Sequence, residues 1–218
     1  MNVLALLLVL FSWAGQKKTA PTPPTAKAAA PNYAGHYVLE DAHEMGSELL
    51  LKPNGDFEYM LAYGAADYTA IGKWKAAGDS VVLDSKLPDG PGFKLVRSSD
   101  LRSPDVRIWV KSRIGKPVGD LEVVLTGPEG ESTGHTDRDG MALFPGTSQP
   151  KSVVIKVPVY DKDSGPVQLN ASHTDFTFEI NPEAITTVPF KGEVLKASAG
   201  TLEMFFWDKT KPMVYRRQ

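Results

Sequence analysis

From residue 32 onward the chain alternates apolar and polar residues in short runs with almost no helical spacing. Turn residues interrupt the runs about every 8–12 positions, a rhythm that predicts an all-β chain. The clearest run is 56–63, where Phe57, Tyr59, Leu61 and Tyr63 share one face while Glu58, Met60 and Ala62 share the other. PNGD at 53–56 precedes it, and Asn-Gly tolerates the positive φ that a tight hairpin demands. Further strands are expected at 35–40, 47–52, 68–76 and 81–83, then at 151–160, 173–180, 201–207 and 213–216.

The pattern differs before residue 32. An apolar run at 3–11 followed by small residues suits the h-region and cleavage region of a secretory signal peptide, assigned to 1–15, with Ser12 and Ala14 as a small-x-small site. The run is shorter than the roughly 20 apolar residues a bilayer span needs, so no transmembrane span is expected after cleavage. Residues 16–31, QKKTAPTPPTAKAAAP, hold too little apolar surface to repay the entropy of ordering and read as an extended tether. Together these segments predict export, to the periplasm or beyond the cell.

Composition narrows the chemistry. The chain has 218 residues, enough for one large β domain or two small ones, and no cysteine. Disulfides, thiolate metal sites, a Cys nucleophile and a lipid on an N-terminal Cys are therefore excluded. Lys plus Arg number 24 against 26 Asp plus Glu, a net charge of -2. No global positive field is present to hold a phosphate backbone, so nucleic acid is not an expected partner.

Two stretches resemble known families. Residues 35–85 carry a cadence of Gly-x-Tyr, Phe-x-Tyr, Gly-x-Trp and Gly-Asp before an apolar strand, which resembles the small exported lipocalin-like barrels of bacterial envelopes. From residue 104, DVRIWVKSRIGKPVGDLEVVLTGPEGESTGHTDRDGMALFPG has a strand, Gly-x-Pro-Val, a strand, Thr-Asp-x-x-Gly and a Phe ending. It resembles the carboxypeptidase regulatory-like, or Ig/prealbumin-like, β-sandwich. The resemblances imply a small antiparallel barrel at 32–103 and a sandwich at 104–186. The tail, 187–218, either completes the barrel, with the sandwich inserted in it, or packs on the sandwich; the sequence leaves both open.

HTDRDG at 135–140 is the stretch most suggestive of chemistry. As a calcium loop starting at Asp137 it has Asp139 at the third position but Met141 at the fifth and Ser148 at the twelfth, so the ligand spacing fails. DKDSG at 161–165 fails in the same way. The prealbumin-like resemblance implies instead a structural turn, in which Asp137 satisfies local backbone donors and Gly140 takes the strained dihedral. One branch of that fold is a ureide hydrolase built on strand His residues and a Tyr-Arg-Gly-Ser terminus. Here DVRIWV has no His and the chain ends Tyr215-Arg216-Arg217-Gln218.

Other catalytic signatures are absent from the sequence. The four His residues form no zinc pair, Gly-x-Ser-x-Gly does not occur, and GAADYTAIGK has the wrong glycine separation for a phosphate loop. The acidic group Glu40, Asp41, His43 and Glu44 reads as a solvated loop. No enzyme activity, cofactor or metal is expected. The candidate ligand-binding residues are Tyr59, Tyr63, Tyr68 and Trp74, aromatic side chains that line a cavity if the barrel is hollow and form its core if it is filled. The expected function is an exported, non-catalytic binding or structural accessory protein of the cell envelope, whose partner is a protein, a glycan or a small apolar ligand. The alternatives are a carrier with an apolar ligand inside the barrel and, behind it, a hydrolase without a recognisable motif.

Overall fold

A computed structural model describes residues 32–218. The 1–15 signal segment and the 16–31 tether lie outside the described residues. The chain is all-β. It opens with a meander of β1 (Gly35–Leu39), β2 (Met45–Leu51), β3 (Asp56–Tyr63), β4 (Ala66–Ala77) and β5 (Ser80–Ser85), each antiparallel to the next. The period-2 pattern of β3 becomes a period-2 burial: Phe57, Tyr59 and Leu61 point inward while Glu58 and Met60 face solvent. PNGD closes the β2–β3 turn with Gly55 at φ +83°, and the Asn54 side chain accepts the Asp56 N–H at 3.1 Å.

The chain then leaves the meander through LPDGPG at 87–92, whose prolines cannot donate to a ladder. Nine strands follow: β6 (Phe93–Ser99), β7 (Val106–Ser112), β8 (Glu122–Gly127), β9 (Gly130–His135), β10 (Met141–Phe144), β11 (Ser152–Val157), β12 (Lys162–Asp163), β13 (Val167–Gln168) and β14 (Asp175–Ile180). They make two sheets. One has the order β10-β7-β14-β6, with β7 and β14 parallel; the other has the order β12-β11-β8-β9, with β13 on β11. Ile108, Val110, Phe176 and Phe178 of the first sheet meet Val123, Leu125, Val153 and Ile155 of the second in one buried cluster. Each such side chain contributes about 1.5–3 kcal/mol of burial.

After a short helix, α1 (Pro182–Thr186), the chain returns with β15 (Lys191–Ser198), β16 (Thr201–Met204) and β17 (Met213–Arg217). These strands join the meander in an eight-stranded closed antiparallel barrel of order β1-β17-β16-β15-β5-β4-β3-β2. Closure leaves the barrel no free edge. The barrel thus draws on 35–85 and 191–217.

Two differences from the sequence reading have a clear cause. Residues 93–99, grouped there with the barrel stretch, pair with β14 in the sandwich, because β15 occupies the edge of β5 through Val82↔Val194 and Val81↔Leu195. The strand expected at 201–207 stops at Met204, and Phe206 and Trp207 begin a loop instead.

The two links between barrel and sandwich are pinned in both. Ile185 of α1 belongs to the sandwich core, whereas Val188 and Phe190, a few residues on, belong to the barrel core. The outgoing link is tied to the returning one: Asn181 N–H donates to Gly92 O and Ser85 N–H to Phe190 O, both at 2.8 Å. Among the described residues no helix is long and apolar enough to cross a membrane.

Candidate functional site at the barrel mouth

In an up-and-down meander alternate turns collect at the same end. The β1–β2 loop at 40–44, the β3–β4 turn at 64–65, the β16–β17 loop at 205–212 and the two links to the sandwich therefore share one end of the barrel. There the β1–β2 and β16–β17 loops, with the adjoining ends of β3 and β4, surround a cleft of about 760 Å³, within the range of about 300–1,000 Å³ typical of ligand pockets. Leu39, Met45 and Leu61 line its apolar base; Tyr63, Tyr68 and Trp207 form aromatic walls; Asp41, His43 and Lys211 stand at the rim.

The position of Trp207 follows from its loop. The Asp208 carboxylate accepts the Thr210 N–H at 2.7 Å, the Thr210 hydroxyl at 2.7 Å and the Lys211 N–H at 3.2 Å, a local Asx turn. These bonds hold the Asp208 carboxyl below the usual carboxylate range. Pro212 follows and stiffens the return into β17. Trp207 is thereby held against Tyr68, ring centroids 5.0 Å apart, with Phe206 behind it at 5.2 Å. Tyr160, in a 3-10 turn of the sandwich after β11, meets the other side of Tyr68 edge-on at 5.4 Å and accepts the Asp67 N–H at 3.4 Å.

A hydroxyl network supports the cleft from inside the barrel. The Trp207 indole N–H donates to the Tyr59 hydroxyl at 3.0 Å. The Ser47 hydroxyl donates to Met60 O at 2.6 Å, so its 2.8 Å bond with Tyr215 uses the phenolic proton of Tyr215. Burial pushes the pKa values of both Tyr59 and Tyr215 up from the ordinary phenol range.

The four aromatic candidates part company. Tyr63 and Tyr68 line the cleft; Tyr63 is 57 % exposed because β3 carries it past the rim on the same face that buries Leu61. Tyr59 is 3 % exposed and edge-packed on Phe190, so it acts beneath the cleft through Trp207. Trp74 lies at the opposite end, where its indole donates to Lys52 O at 2.9 Å beside the PNGD turn. Trp207 was not among the candidates; the signal for it was Phe-Phe-Trp running into an Asx turn and a proline, a combination that ends a strand.

Of the acidic group, Glu40 is engaged by the Arg216 guanidinium from β17, while Asp41 and His43 remain at the rim. Among the described residues no three His, Asp or Glu side chains converge as a metal site. The HTDRDG corner lies away from the barrel in the sandwich. There Asp137 Oδ1 accepts the N–H groups of Asp139 and Met141, both at 2.9 Å, and the buried Thr136 hydroxyl accepts the Leu121 N–H at 3.0 Å. Gly140 adopts φ +75°, and a Cβ there would lie 2.5 Å from Val110 O.

No protein-family model, curated protein or solved structure matches the chain.

Proposed function

We propose that this chain is an exported, non-catalytic binding protein of the cell envelope that takes its ligand at the barrel mouth. The observation that carries the reading is the cleft of about 760 Å³ walled by Tyr63, Tyr68 and Trp207 over an apolar base. Three large rings on one concave surface offer apolar area with little rotamer entropy to lose, the composition expected of a recognition site.

An up-and-down barrel of eight strands supports a lipocalin-like assignment for the binding part. The Thr136, Asp137 and Gly140 corner supports a prealbumin-like assignment for the sandwich, which serves as an accessory whose Tyr160 buttresses one cleft wall. The second reading, a carrier with its ligand inside the barrel, is less favoured. Phe57, Tyr59, Leu83, Leu195, Leu202 and Tyr215 already fill that interior. A hydrolase is less favoured still, since Asp208 is spent on its own loop and Glu40 on Arg216.

Native mass spectrometry of the mature chain, recovered gently from its exporting host, tests the reading. The expected result is an added mass that disappears on denaturation and is lost in Trp207→Ala and in Tyr68→Ala. An added mass that survives both substitutions moves the ligand elsewhere, and a bare chain sinks the reading. N-terminal sequencing of the same material is expected to begin at Gln16; material that starts at Met1 removes the export step.

A further inference from the structure

The outer face of the β10-β7-β14-β6 sheet has a composition at odds with the rest of the chain. Alternation sends Phe176 and Phe178 of β14 into the sandwich and Asp175, Thr177 and Glu179 outward. The cross-strand registers align these with Arg107, Trp109 and Lys111 on β7 and with Ser99, Arg97 and Lys94 on β6. A chain of net charge -2 thus gathers four cations and one indole on a single sheet face.

The two carboxylates of the face are spent within it. Asp175, only 4 % exposed, accepts the Trp109 indole N–H at 2.9 Å and faces Arg97 at 3.4 Å. Glu179 pairs with Arg113 at 3.8 Å. Among the described residues, Lys94, Arg107 and Lys111 make no salt bridge. A surplus of positive charge therefore remains at the surface around a ring that a buried carboxylate holds in one orientation. Lys111 Nζ lies 5.9 Å from the Trp109 ring centre, so cation and ring present together. Between Trp109 and Arg97 in register stands Thr177, 7 % exposed, whose hydroxyl has no hydrogen-bond partner. A buried hydroxyl left unpaired is costly unless something completes it.

We infer that this face binds an extended acidic polysaccharide, with the sugar rings against Trp109 and their carboxylate or sulfate groups on Lys94, Arg107 and Lys111. The partner class follows from shape and charge. On this sheet face cations flank an aromatic plane, and neighbouring strands lie about 4.8 Å apart. A peptide strand would need a free backbone edge, which a face does not offer. The other sheet gives the contrast: on its outer face Glu122 and Lys156 pair at 2.7 Å, with Val124 and Val154 beside them and no aromatic ring. The inference is independent of the barrel mouth.

Affinity electrophoresis of the full mature chain through gels containing polygalacturonate, dextran sulfate or neutral dextran tests it. Both acidic polymers are expected to retard the chain and neutral dextran to leave it unaffected. The Lys94→Gln, Arg107→Gln, Lys111→Gln triple variant should weaken retardation about tenfold, as expected for three exposed charges. These solvent-facing changes spare the core. Trp109→Phe, which keeps a ring but releases Asp175, should weaken binding while circular dichroism stays that of the parent. Retardation unchanged in the triple variant, or none with either acidic polymer, overturns the inference. So does equal or tighter binding to anionic phospholipid vesicles or to single-stranded DNA, which would identify a generic polyanion surface.

Discussion

The barrel and the sandwich handle buried polar groups in opposite ways. The barrel interior keeps the hydroxyls of Tyr37, Tyr59, Tyr215 and Ser47, whereas the sandwich cluster consists of Val, Ile, Leu, Ala and Phe. In the barrel the Tyr59 hydroxyl stands under the rim and holds Trp207 from below. In the sandwich two of the buried polar side chains, Asp175 and Thr177, belong to the outer face of one sheet, where Asp175 orients Trp109, while Thr136 serves the corner turn. Burying polar atoms costs stability, so their location points to surfaces whose geometry has to be maintained. What the halves share is a buried oxygen, Tyr59 in one and Asp175 in the other, that accepts the indole N–H of a surface tryptophan.

The largest expected effect tests the dry core. Phe176→Ala should lower stability by about 3–5 kcal/mol in urea unfolding, since the ring is fully buried. A loss under about 1 kcal/mol would mean that the two sheets close over the gap and do not depend on this packing. Next comes the sandwich corner: Gly140→Ala should cost about 1–3 kcal/mol, because φ +75° is strained for alanine and its Cβ meets Val110 O. Unchanged stability would show that the corner yields.

For the barrel, Tyr59→Phe leaves the Trp207 indole N–H without its acceptor and should cost about 1–2 kcal/mol. Trp207 fluorescence should also become more solvent-exposed; an unaltered spectrum would detach the rim from the network. The same network predicts an alkaline limit. Burial raises the pKa values of Tyr59 and Tyr215 above the ordinary value near 10. Above about pH 10 the unfolded chain releases these protons while the folded chain keeps them, so stability is full below that pH and falls as pH rises. The slope is about 1.4 kcal/mol per pH unit for each tyrosine. Tyr215→Phe should make it shallower, and an identical slope would exclude Tyr215 from the effect. The smallest effect is on the outer face of the other sheet. The Lys156 ammonium holds the Glu122 carboxyl below its usual range, yet the pair sits at the surface and both side chains reach solvent, so Glu122→Gln should leave the urea midpoint within experimental scatter.

Some features were legible residue by residue. The inward set of β3, the Asn54-Gly55 turn and the local bonding of Asp137 all depend on neighbours one to four positions away. The candidate site was legible only in part. Tyr63 and Tyr68 could be picked as aromatic residues on a strand or beside a turn, but their use depends on where β3 crosses the rim. Trp74 has the same local character and lies at the other end, since one strand, β4, runs the full height of the barrel. Trp207 joins them from a loop 139 positions after Tyr68.

Which residues point inward, where the chain turns and the all-β class can be read along the chain, because period-2 burial and turn dihedrals are local properties. Which strands are neighbours is a matter of long-range pairing. Backbone N–H and C=O groups are the same on every strand, so β5 has no intrinsic preference for β6 over β15. The choice falls to barrel closure, which removes the exposed edges, and to the simultaneous burial of Ile185 in one core and Phe190 in the other. The mouth cleft and the cationic face are products of those non-local pairings.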